Sequence, residues 1–331
     1  MVVFVAGATG VIGRALIPKL VANGHEVFGM TRTSSKQDLV SRLGARPVVV
    51  DALDPASVAE AVATVRPEVI VHELTSLSGK LSLSDARHPE RSPLAIATNR
   101  LRTEATDHLL FAGRAAGVRR FVAQSFGAFR YAGSGGPVLT EADPLDPNAP
   151  EALRIVQEGY QYLEKAVTTI DWGEGLALRY GGFYGPGTAI SLDPGAAMAG
   201  PVRKRRFPIV GDGAGVFSHV HVDDAASATA IAVERGRPGI YYVVDDEPAP
   251  VREWLPVLAG VLGARPPRRV PRWLGRIAAG EAATVMMTEA VGASNEKAKR
   301  EFGWELRYPS WRQGFAEGLG AGDPGGANKS G

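Results

Sequence analysis

The stretch that most constrains this chain is VVFVAGATGVIG, from Val2 to Gly13. Val2 to Val5 form an unbroken apolar, β-branched and aromatic run, as in a strand buried on both faces. Gly7, Gly10 and Gly13 follow as G-x-x-G-x-x-G. Ala15-Leu16-Ile17 and Leu20-Val21 then recur at helical spacing, and Asn23-Gly24 offers a left-handed cap. Strand, glycine turn and helix together are the setting of a dinucleotide fingerprint. Its glycines turn the chain tightly and let the backbone approach a pyrophosphate, whose charge sits at the helix N-terminus. The residues expected there are Gly7, Thr9, Gly10, Val11, Ile12 and Gly13.

The rest of the chain repeats the alternation. Strands are expected at Glu26–Thr31, 47–50, Val69–His72, 120–123 running on to Phe126, and 176–179. Helices are expected to begin near Pro55, to run from Asn99 to Ala116, and to span about 151–169. This order predicts a doubly wound α/β fold with a parallel sheet of the Rossmann type. Arg32 sits just past the second strand, where an acid would grip a ribose hydroxyl and a base a 2′-phosphate. With Lys36 and four hydroxyls nearby, it points to NADP(H), with NAD(H) as the alternative. Asp51 and Ala52 follow the third strand, and Asp51 either meets an adenine edge or caps the next helix. Leu74 and Thr75 follow Glu73 at the end of the fourth strand, where ligands gather in open α/β sheets.

The chain has 331 residues, so there is room for one large or two unequal domains. We expect a cofactor domain over 1–180, a mainly substrate-binding region over 181–320 from which the chain can return to the sheet, and a disordered tail over 321–331. Residues 132–150 read as a Gly/Pro/Asp-rich loop. At 45% hydrophobic, 22% charged and a net charge of +2, the composition argues against a nucleic-acid surface. With no cysteine there is no disulfide frame, thiol nucleophile or thiolate metal site. No secretory signal opens the chain and no apolar run reaches membrane-spanning length, so a cytoplasmic protein without a membrane or nucleic-acid partner is expected.

Several motifs carry a resemblance: GATGVIG at 7–13, VIVH at 69–72, TNRLRTEATDHLL at 98–110 and GVRRFVAQS at 117–125. LRYGGFYGPG at 178–187, HVHVDDAA at 219–226 and FGW at 302–304 complete the series. Together they resemble the extended short-chain dehydrogenase/reductase superfamily, which includes sugar-nucleotide epimerases and dehydratases. The resemblance implies a Rossmann domain with a smaller C-terminal domain. It also implies a nicotinamide cradle at Tyr180, Gly182 and Phe183, and a structural role for the HVDD segment in place of a metal site. The family's active site has a Ser or Thr after the fifth strand and a Tyr-x-x-x-Lys pair on the next helix, the Tyr giving a proton and the Lys holding the nicotinamide ribose.

Here the match departs. Lys165 is read as the family's lysine, but the position four before it is Gln161. Phe126 stands at the hydroxyl position, with Ser125 one residue early. Tyr160 lies on the apolar stripe Leu153, Val156, Tyr160, Leu163, Val167 and reads as core. Ser125, Gln161 and Lys165 are therefore the candidate catalytic residues, and the family's proton donor is absent. General acid catalysis typically contributes ~10²–10⁴-fold, so the acid must come from elsewhere. The expectation is an NADPH-dependent ketoreductase whose small-molecule partner is a polycyclic aromatic, angucyclinone-like polyketide ketone of antibiotic biosynthesis. A phenol beside the carbonyl would supply the missing acid, and Trp273 and Met286-Met287 are candidates to line the pocket. The alternatives are a sugar-nucleotide epimerase or dehydratase, for which the basic cluster Arg203–Arg206 speaks, and an inactive NADP(H)-sensing protein.

Overall fold

The structure is a computed structural model and describes residues 1–77, 91–127, 138–144 and 150–320. Strand alternation decides what each side of the sheet buries. In β1 (Val2–Ala6), Val3 and Val5 join one apolar cluster while Phe4 and Ala6 join another, all four fully buried. The same division recurs in β2 (Glu26–Thr31), β4 (Val69–His72) and β5 (Arg120–Phe126), with β3 (Arg46–Val49) at one edge. After β6 (Glu174–Tyr180) the chain returns with β7 (Gly239–Val243) to the opposite edge. The seven strands lie in the order β7-β6-β5-β4-β1-β2-β3, every adjacent pair parallel. The doubly wound Rossmann sheet expected from the alternation is the architecture found.

Helices cover both faces, as a parallel sheet requires. On one, α1 (Val11–Ala22) buries Leu16, Ile17 and Leu20 beside an alanine-rich helix, Val222–Glu234. On the other lie α2 (Pro55–Val65), α3 (Pro93–Arg102), α4 (Glu104–Ala116) and α5 (Glu151–Thr168). The single helix expected over Asn99–Ala116 is thus two, parted at Thr103 (φ −103°, ψ −78°). Asp54, not Asp51, caps α2, accepting from the N–H groups of Ala56 and Ser57. A second apolar cluster, including Tyr184, Trp254, Trp311 and Phe315, gathers the later elements. One of these is α6 (Arg272–Glu289), kinked at Gly280 (φ 89°, ψ 171°). The expected tail at 321–331 and most of the 132–150 loop lie outside the described residues. Among the described residues no helix is long and apolar enough to cross a membrane.

One buried ion pair fixes α5 on the sheet. Arg179 of β6 donates from Nε and Nη2 to both Glu164 carboxylate oxygens at 2.7 Å, and from Nη1 to Tyr242 OH at 3.1 Å. Ser125 Oγ donates to the same carboxylate at 2.6 Å. Removing one member of a buried pair strands the other charge, at a cost of about 3–5 kcal/mol. Urea unfolding should therefore show Glu164→Ala less stable by about that amount, and Glu164→Met with Arg179→Met recovering most of the loss. A change under about 1 kcal/mol in Glu164→Ala would contradict this role.

Candidate active site

The glycine positions follow from backbone crowding where β1, β4 and α1 meet. Gly7 has φ +99°, and a Cβ there would lie 2.7 Å from the backbone carbonyl of Glu73. A Cβ on Gly13 would lie 2.3 Å from Gly7 O and 2.8 Å from the Ala8 backbone. Gly10 N donates to Gly7 O at 2.9 Å, and its extended backbone opens α1 with no side-chain cap. The unpaired N–H groups of the first turn, at Val11, Ile12 and Gly13, form an anion-binding end. Thr9 is half-buried beside them. This cradle fits a dinucleotide pyrophosphate, and a side chain at Gly7 or Gly13 would force apart the backbone packing that forms it.

The flanking positions line the same C-terminal edge of the sheet. Arg32 is exposed past β2 and has no ion-pair or hydrogen-bond partner among the described residues. Asp51 is exposed, its Oδ1 accepting from Leu53 N–H at 3.0 Å, and Ala52 is buried with its carbonyl 2.9 Å from His108 Nδ1. Leu74, Thr75, Gly182 and Phe183 are half-buried at the ends of β4 and β6. Tyr180 is different: its side chain is fully buried, so only its backbone can border a ligand. Its hydroxyl donates to Glu73 Oε1 at 2.9 Å and bonds Thr229 Oγ1 at 2.6 Å.

The three candidate catalytic residues do not converge. Ser125 is fully buried and committed to Glu164. Gln161 and Lys165 are exposed and share a groove with Thr168, Thr169 and Ile240 of the edge strand β7. The strands β6, β5 and β4 separate β7 from the glycine turn after β1. Lys165 as holder of a nicotinamide ribose is therefore corrected by the rotation of α5. At about 100° per residue, Gln161 and Lys165 lie roughly 100° and 140° round the helix from the face that meets Phe126. That face carries Tyr160, whose ring stacks on Phe126 (6.1 Å, 28°), with Val156 one turn before it. Leu153, Ala282, Val285 and Met286 complete this apolar cluster, the last three from α6. Where the resemblance implies Tyr and Lys, the helix presents an aliphatic and a held aromatic.

Sequence reasoning missed Arg102 and Glu164. Arg102 Nη1 donates to Asn99 Oδ1 at 3.0 Å, Nη2 donates to Tyr160 OH, and its guanidinium lies 3.6 Å from the Tyr160 ring centroid. Its spacing of three from Asn99 on α3 was the available signal. His219 is buried against the Trp254 and Phe315 rings. His221 Nδ1 accepts from Asp223 N–H, and among the described residues no group of three or more ligating side chains is placed to hold a metal.

Glu73 is the strongly perturbed acid of this region. Burial pushes its carboxyl up to about 8 against the opposing Tyr180 hydrogen bond, and burial holds the adjacent His72 down at about 4. Between its unfolded value and about 8, the folded protein binds a proton at Glu73 that the unfolded chain releases. The Glu73 contribution to stability should therefore fall as pH rises across that window, at a slope of at most about 1.4 kcal/mol per pH unit, against the opposite contribution of His72 below its unfolded value. Glu73→Gln should remove this slope in unfolding measured from pH 5 to 8. Parallel stability profiles for the two proteins would contradict a protonated Glu73.

These features agree with the comparisons to known proteins. The NAD dependent epimerase/dehydratase family model matches residues 3–244. A 3-diazoavenalumate denitrifying reductase of a Streptomyces species is 46% identical over 321 residues, 95% of this chain and 99% of that protein. A 4-hydroxy-2-methyl-3-oxo-4-farnesyl-3,4-dihydroquinoline-1-oxide ketoreductase of Stigmatella aurantiaca is 27% identical, covering 92% of each chain. The UDP-glucose 4-epimerase of Thermotoga maritima shares the fold, with a TM-score of 0.72 at 22% identity over 96% of this chain and 97% of that one. The chain belongs to the NAD dependent epimerase/dehydratase family and is an NAD(P)-dependent oxidoreductase of the extended short-chain dehydrogenase/reductase type.

Proposed function

We propose that this protein is an NADPH-dependent reductase of an aromatic substrate and itself contributes no acid to the reaction. The observation that supports it is the Val156–Tyr160 pair facing Phe126, where a proton-donating Tyr and its Lys would have to stand. Gly7, Thr9, Gly10, Val11, Ile12 and Gly13 would hold the cofactor pyrophosphate, and Arg32 a 2′-phosphate. Asp51 and Ala52 would border the adenine, and Leu74, Thr75, Gly182 and Phe183 the nicotinamide. Bound NADPH supplies a hydride.

A protein without an acid suits substrates that need none. Reductive loss of N2 from an aryl diazo carbon leaves a C–H bond and no alkoxide to protonate. The relative at 46% identity is named for denitrifying a diazo compound, and this substrate class is the reading we favour. The second reading is the ketoreductase expected from the sequence, acting on a polycyclic aromatic ketone. There the alkoxide takes its proton from a phenol of the substrate itself. The ketoreductase relative favours that reading. A sugar-nucleotide substrate carries no such acid and is disfavoured by the same helix face.

The test is NADPH oxidation with an arenediazonium carboxylate, with a phenolic polycyclic ketone and with UDP-glucose, following absorbance and released N2. We expect oxidation matched one-to-one by N2 with the first. Ketone reduction without N2 release would move the assignment to the second reading, and tight NADPH binding with no oxidation would make the protein a cofactor sensor. In cofactor titrations, Arg32→Ala should weaken NADPH binding about 10-fold or more and leave NADH unchanged, as loss of a charge-assisted contact implies. Lys165→Ala should change neither by more than about 2-fold, since the side chain lies off the cleft.

A further inference from the structure

Three arginines are buried among the described residues: Arg102 (4% exposed), Arg120 (8%) and Arg179 (4%). Arg179 has Glu164, and Arg120 donates to Glu174 and to the carbonyls of Ala232 and Gly236. Burying a guanidinium without an anion is costly, so these two follow the usual rule. Arg102 does not. Its partners are the Asn99 amide oxygen and the Tyr160 hydroxyl and ring, all neutral. The nearby His72 imidazole is kept uncharged by burial. Arginine stays protonated in proteins and has five N–H donors, so two are engaged by side chains and the rest remain.

The position is also built. A Cβ on Gly159 would lie 2.6 Å from Asn99 Oδ1, so glycine at 159 is what allows Asn99 to approach α5 and hold the guanidinium. Phe126 and Val156, both only partly buried, lie against Tyr160. A cation at the base of an apolar, aromatic wall is complementary to a flat ring bearing an anionic oxygen.

We infer that Arg102 is the anion-recognition residue of the substrate site, pairing with a carboxylate or phenolate oxygen of an aromatic substrate that packs on Phe126 and Val156. This deepens the reading of the protein as a reductase of aromatic substrates and rests on it. The remaining N–H groups of the guanidinium take the anionic oxygen, and Asn99 and Tyr160 keep the plane of the fork fixed. A neutral substrate leaves the buried charge uncompensated, so the site selects for the anion as well as for the ring.

The test is binding to the NADPH-loaded full chain, followed by calorimetry, for 4-hydroxycinnamate, its methyl ester and 4-nitrophenolate at pH 8. We expect at least one anion, carboxylate or phenolate, to bind about 10–100-fold tighter than the ester, and the tighter anion identifies the oxygen recognised. Arg102→Met should abolish that preference while ester and NADPH affinities hold within about 2-fold, and Arg102→Lys should keep part of it. Equal affinity for ester and both anions in the wild type, or a preference that survives in Arg102→Met, overturns the assignment. Should Arg102→Met fail to fold, the wild-type ratio and Arg102→Lys decide. The readout needs no turnover, so a protein that shows this anion preference yet oxidises no NADPH with the arenediazonium carboxylate or the phenolic ketone would lose the reductase reading and keep the anion site.

Discussion

The close approach of three backbone segments at the end of β1 sets the geometry of everything that follows. With Gly7 against the Glu73 carbonyl and Gly13 against Gly7 O, α1 starts almost in contact with the turn that precedes it. That packing aims the free N–H groups of α1 at one spot above the sheet. It also buries the Glu73 carboxyl beneath the loop, where Tyr180, itself bonded to Thr229, donates to it and burial raises its pKa to about 8. Arg32, Asp51, Leu74 and Phe183 line this edge because parallel strands all end there, which is where open α/β sheets bind ligands.

The second constraint is the Glu164–Arg179 pair, which sets the rotation of α5. Once Glu164 points inward, the residues facing Phe126 are Val156 and Tyr160, and Gln161 and Lys165 face out beside β7. The chemistry follows from that angle. The helix that carries an acid and a cation in the resembled family here carries an apolar wall, and the cation beside it is Arg102 from α3. A site of this kind can hold a ring and balance an anion, and it has no group at Val156 that gives up a proton.

Much of this was legible in the residues. Strands β1 and β4 are apolar, β-branched runs, and each was readable within a residue because a strand buried on both faces permits little else. The Gly7–Gly13 spacing was readable because a tight backbone crossing tolerates no Cβ. Other features depended on contacts distant in sequence. Thr103 divides a stretch with no glycine or proline beside the break. GIYYV at 239–243 becomes a sheet strand by pairing with β6, more than sixty residues earlier. The stripe through Leu153, Tyr160 and Val167 was readable, but Glu164 turning in toward Arg179 was not, and so a lysine on the expected helix drew the assignment to Lys165. Charge on Arg102 was visible, whereas its lack of a counter-anion among the described residues is a property of the folded neighbourhood alone.

The central claim is that hydride reaches the substrate without a proton from the protein. The most direct measurement is the rate of NADPH oxidation with cofactor deuterated at the transferred position, in H2O and in D2O, from pH 6 to 9. A primary isotope effect from the deuterated cofactor, a solvent isotope effect near unity on the same step and a rate flat across that range are expected. A solvent isotope effect on the hydride step, with a rate that falls along a single titration limb abolished by Tyr160→Phe, would contradict it and identify a protein acid.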